Sequence, residues 1–146
     1  MAHVGHVDGW VAAERRPPSL RSALVGLGLA LACVTTYAVS LLLPYYANGL
    51  QGSSQEELWA SDLAETWPYG TADDVPLGLA ALFAISIGPF LAGGLLWWSA
   101  RTLWVHHGRL PSPVQVVVGA TLLLALTVLG WLTTPLAGQL FSWYID

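Results

Sequence analysis

Three apolar runs, each about as long as a bilayer-crossing helix, divide this chain, and the charge between them alternates in sign. All five cationic side chains, Arg15, Arg16, Arg21, Arg101 and Arg109, fall on one side of the runs, and six of the nine acids crowd into one long loop on the other. Cytoplasmic segments retain Lys and Arg during insertion. The pattern therefore predicts an all-α integral membrane protein with three transmembrane helices, N-terminus inside and C-terminus outside. Charged residues make up 10% of the chain and hydrophobic ones 55%, whereas a soluble domain carries about 25% charge. The net charge of −4 is then the sum of a basic inner face and an acidic outer one, and each face has to be read alone.

The boundaries follow from breakers and caps. Residues 1–18 read as a polar cytoplasmic tail ending in Arg15-Arg16-Pro17-Pro18, and 19–43 as the first span. The 22 residues from Ser22 to Leu43 would extend about 33 Å against a hydrocarbon core of about 30 Å. Pro44 is expected to end that helix. A cleavable leader is the competitor, but the run continues past Ala30 and Ala32, beyond the length of a signal core. Residues 76–104 form the second span, with Asp73 or Asp74 as its cap, Pro76 in its first turn, and Trp97, Trp98 and Trp104 as its inner aromatic belt. A short turn over 105–112 leads to the third span, 113–135, and the rest, 136–146, is too short to cross and reads as an outer interfacial tail.

The outer loop, 44–75, is too long for a plain connector and carries its own helix signal. Ser54 and Glu57 form a capping box, and Trp59, Leu63 and Trp67 then recur every fourth residue, with Leu58 beside them. This predicts a short amphipathic helix over about 55–66. Glu56, Glu57, Asp62, Glu65, Asp73 and Asp74 give the loop an acidic patch, which could dock a basic partner or be the passive complement of the inner arginines.

The second span places Ala80, Ala84, Gly88 and Ala92 on one smooth ridge that lets another helix approach closely. Ser22, Gly26 and Ala30 make a weaker one in the first span, so the two ridges either pack on each other or dock on another subunit. Pro89 removes the hydrogen bond to the Ile85 carbonyl and predicts a kink, either a static bend or a hinge.

Chemistry is sparse. Between the interfaces the spans hold no Asp, Glu, His, Lys or Arg, which argues against coupled transport and haem ligation by this chain alone. His106 and His107 are adjacent and diverge by about 100° on a helix, so no metal site is expected there. One cysteine, Cys33, excludes an internal disulfide. Phosphate-binding, zinc-protease and dithiol motifs are absent, and the histidines and loop acids fall on opposite faces of the membrane, so no catalytic residue, cofactor or metal is assigned. Nucleic acid is not an expected partner, because Arg15, Arg16 and Arg21 suit anionic lipid.

The use of Arg without Lys, with abundant Ala, Gly, Leu and Trp, is the drift expected of a GC-rich bacterial genome, and the location expected is the plasma membrane. A packing-rich, chemistry-poor membrane chain points to a non-catalytic accessory or assembly subunit of a larger respiratory or transport complex. Its partners would be lipid and other membrane subunits. The alternatives are a self-assembling channel lined by Thr35, Thr36, Thr127, Thr133 and Thr134, and a small enzyme using a loop acid such as Glu57 or Asp74.

Overall fold

The computed structural model describes residues 17–61, 65–69 and 74–145. Among them every regular element is helical. Arg15, Arg16, Asp62, Leu63 and Asp73 lie outside the described residues, as do the side chains of Trp59 and Asp74.

Helix α1 runs over Leu20–Ala47. Ser19 opens it by accepting the Ser22 N–H at 3.2 Å. The helix does not stop at Pro44, as its sequence suggested, but passes through it. The segment Ala38–Leu42 widens into a π turn, in which the Leu43 N–H reaches the Ala38 carbonyl, and α-helical winding resumes over Leu43–Ala47. A proline leaves the carbonyl four residues back without its donor. Here that carbonyl belongs to Ser40, and the buried Tyr69 hydroxyl donates to it from the loop. Gly49, with φ of 70°, finally turns the chain away in the left-handed conformation that glycine adopts at little cost.

Helix α2 (Gln55–Ala60) is one and a half turns long, with both arms of the capping box made. Ser54 N donates to Glu57 Oε2 at 2.7 Å, and Glu57 N to Ser54 Oγ at 3.3 Å. It ends earlier than its apolar spacing predicted, at Ser61, whose hydroxyl turns back to the Leu58 carbonyl at 2.7 Å. Trp67 therefore lies in a later turn and does not continue the α2 stripe.

Helices α3 (Asp74–Ser86) and α4 (Gly88–Val105) meet at 49° around Ile87, the bend expected of Pro89. Helix α5 covers Ser112–Leu132 and α6 covers Pro135–Ile145. Thr134 both closes α5 and opens α6, because its hydroxyl donates to the Trp131 carbonyl at 2.7 Å and accepts the Ala137 N–H at 3.3 Å. Helices α1 and α5 are each long and apolar enough to cross a membrane, and the bent α3–α4 pair makes a third crossing if its halves form one span.

The long helices pack in layers. At one end Ala23, Val114 and Val118 meet Trp98, Leu103 and Leu110. In the next layer Ala30, Leu95 and Ala125 meet Leu91, Leu96 and Leu124. Position numbers rise together in α1 and α5 and fall in α4, so α1 and α5 are parallel and α4 runs against them. Arg21, Arg101 and Arg109 consequently gather, all exposed, at the end opposite Pro44. Gly26 makes the close approach possible, since a Cβ there would sit 3.1 Å from the Trp98 ring. Trp98 thus leaves the predicted aromatic belt for the core, while Trp97 and Trp104 remain on the outside.

Candidate functional site

Two features at the Pro44 end collect the side chains with most to offer. The first is an aromatic cap. Tyr45, Leu58, Tyr69, Leu140 and Trp143 are buried together, with Tyr37, Leu42, Leu50, Leu77, Leu136 and Tyr144 packed around them. The cap draws on α1, α2, the loop and α6, so the C-terminal segment is a packing element and not only an interfacial tail. Polar handles fix its register. Trp143 Nε1 donates to Ser61 Oγ at 3.2 Å, and the Tyr144 hydroxyl donates to the Gly78 carbonyl at 2.7 Å. Asn48 clamps the loop: its Nδ2 donates to the Trp67 carbonyl at 2.6 Å, while its Oδ1 accepts the Trp67 N–H at 3.2 Å. Burial, with Tyr144 adjacent, raises the pKa of the Tyr69 phenol far above its ordinary value.

On the outside of the cap Glu56, Glu57 and Glu65 are exposed, as are Tyr46 and Trp67. Leu58, rather than Trp67, supplies the buried apolar contact of this region. Sequence spacing could not show this, because the chain leaves the helix after Ala60.

The small-residue ridge turns inward. Ala84, Gly88 and Ala92 are buried and Ala80 is partly so, which places most of the ridge against the chain's own helices. Thr127, Thr133 and Thr134 each donate their hydroxyl to a carbonyl of their own helix at 2.7 to 2.9 Å.

The second feature is a cavity of about 180 Å³ beneath the cap. The π turn of α1, the Pro89 bend and the end of α5 converge on it, so each irregular stretch of helix contributes a wall. Cys33, Tyr37, Leu42, Ala84, Pro89, Thr127 and Trp131 are among its lining residues. Trp131 Nε1 is buried without a hydrogen bond of normal geometry, and the Tyr37 hydroxyl is the polar group beside it. Sequence reading named Pro89 and Thr127 but not Tyr37 or Trp131, which look like ordinary interfacial aromatics until the three helices are brought together.

At the opposite end His106 is buried with both ring nitrogens unpartnered, and Ser99 Oγ is likewise unpartnered two turns earlier on α4. The sequence placed His106 in a polar turn; the structure puts it under the end of α4. No cluster of three metal-ligating side chains occurs among the described residues. A scan against protein-family models and searches of curated proteins and of solved structures return no match for this chain.

Proposed function

We propose that this chain is a three-span protein of a bacterial plasma membrane, with the arginine end in the cytoplasm and the aromatic cap outside, serving as a non-catalytic accessory or assembly subunit of a respiratory or transport complex. The observation that carries the reading is a stripe on the outer face of α4. Phe90, Gly94, Trp97, Arg101 and Trp104 follow one another at intervals of four and three residues, the spacing of a helix–helix seam. All five are exposed, with Phe90 at 82%, Trp97 at 71% and Trp104 at 86%.

Gly94 leaves a notch between two large rings, into which a partner helix can insert a side chain. Trp and Arg are enriched among the residues that contribute most at protein–protein interfaces. Because Ala84, Gly88 and Ala92 are used internally, the partner contact moves from that ridge to this stripe. Trp67 and the exposed acids Glu56, Glu57 and Glu65 offer a second contact on the cap, suited to a partner with a basic outer surface.

Purification in mild detergent at native expression tests the proposal. A stoichiometric membrane subunit should co-purify, and Gly94→Leu with Trp97→Ala should release it while the chain stays folded. A monomer with nothing bound, in the wild type, would remove the basis for a subunit role.

A further inference from the structure

We infer that the groove between α4 and α5 at the arginine end holds one anionic phospholipid, its acyl chain along Ala100, Leu103 and Leu122 and its phosphate at His107 and Arg109. The inference rests on α1, α3–α4 and α5 crossing the bilayer and is independent of the subunit role.

The groove forms where one face of α4 meets α5. Ala100, Leu103, Trp104 and His107 follow one another at helical spacing, and Leu122 closes the far side, around a volume of about 520 Å³. Small-molecule sites fall in the same range, about 300–1,000 Å³. Aliphatic side chains line its depth, and His107 stands at its inner end because α4 runs toward that end. Trp104, beside His107, is 86% exposed, and tryptophan on a spanning helix settles at the level of the lipid head groups. The mouth of the groove therefore lies at the membrane surface, open sideways to the lipid.

Charge decides which molecule fills it. Helix α4 ends in a turn whose Arg109 N–H donates to the His106 carbonyl at 2.9 Å, and Gly108, with φ of 72°, supplies the left-handed residue that folds the chain back. Arg109 is thereby held against the end of α4, next to His107. Arg101 follows Ala100 on the neighbouring face of α4, and its long side chain can reach the same level. Both arginines are exposed, and segments 17–30 and 95–122, which build this end, contain no Asp or Glu to pair with them. A lipid phosphate supplies the missing anion. The guanidinium fork matches its oxygens, and a neutral imidazole has one N–H to add. A zwitterionic head group would bring a second cation to the same place, which favours a lipid of net negative charge. A partner helix would follow the length of the span, as the stripe from Phe90 to Trp104 does, whereas this groove is confined to the innermost turns of α4.

Titration of the full-length protein in detergent with phosphatidylglycerol or phosphatidylcholine, read by native mass spectrometry, tests the site. One phosphatidylglycerol per chain should be retained at concentrations where phosphatidylcholine is not. Arg109→Gln should weaken retention about fivefold, and Arg101→Gln with Arg109→Gln at least tenfold. Arg21→Gln, which removes the same charge from α1, outside the groove, should change it less than twofold. Ala100→Trp, at an exposed position, fills the groove and should abolish retention while circular dichroism shows the helices intact. Equal retention of the two lipids, or of neither, would overturn the inference. A fivefold loss in Arg21→Gln would reduce the binding to a general attraction of the basic end, and undiminished retention in Ala100→Trp or in the double arginine variant would remove the lipid from this groove.

Discussion

Pro44 takes one donor out of α1 and Tyr69 restores it from a distant segment, so a single phenol joins the loop to the helix it covers. Removing that hydroxyl leaves the Ser40 carbonyl buried without its partner, and Tyr69→Phe should lower stability by about 1–3 kcal/mol in a denaturant titration in detergent. The same residue sets an alkaline limit. Burial raises the Tyr69 phenol above its ordinary value of 10.0, while in the unfolded chain it ionises near that value. The unfolded chain therefore holds fewer protons at high pH, and the stabilisation, complete below about pH 10, declines as pH rises beyond it. Tyr69→Phe should flatten that decline between pH 9 and 12, monitored by cap fluorescence. In the sequence Pro44 was legible as a stop. Its passage was not, because the compensating donor lies 29 positions beyond the Ser40 carbonyl that it serves and no local pattern pairs them.

At the scale of elements, α6 is the piece whose role the sequence showed only in part. Leu136, Leu140, Trp143 and Tyr144 announce a helix with one apolar face, but what that face meets depends on the loop folding back over α1. Ending the chain after Thr134 should expose Tyr45, Leu58 and Tyr69, and proteinase K should then cut the segment between Asn48 and Asp74 at least tenfold faster than in the full chain. An unchanged rate would mean that the loop holds its shape without α6. The Pro89 bend and the Ser54–Glu57 capping box were readable directly, since both depend on neighbours within four residues. The cavity was not, because its walls come from three separate helices.

For the molecule as a whole, the layers of small and large residues decide how closely the long helices approach. Gly26 faces Trp98 with little room to spare, so Gly26→Leu should cost about 1–3 kcal/mol by overpacking, measurable as a lower melting temperature in detergent, and Gly26→Ala much less. The apolar runs and the arginine distribution already implied such a bundle, and the exposed rings of α4 and the acids of the cap give its surface two distinct faces. The proposed orientation, with the arginine end in the cytoplasm and the cap outside, decides which partner surface the cap can meet. The direct measurement is cysteine labelling in intact cells, in a Cys33→Ala background, with Glu57→Cys on the cap and His107→Cys at the arginine end. A membrane-impermeant maleimide should label position 57 in intact cells and position 107 only after lysis; the reverse order, or labelling of both before lysis, would contradict the account.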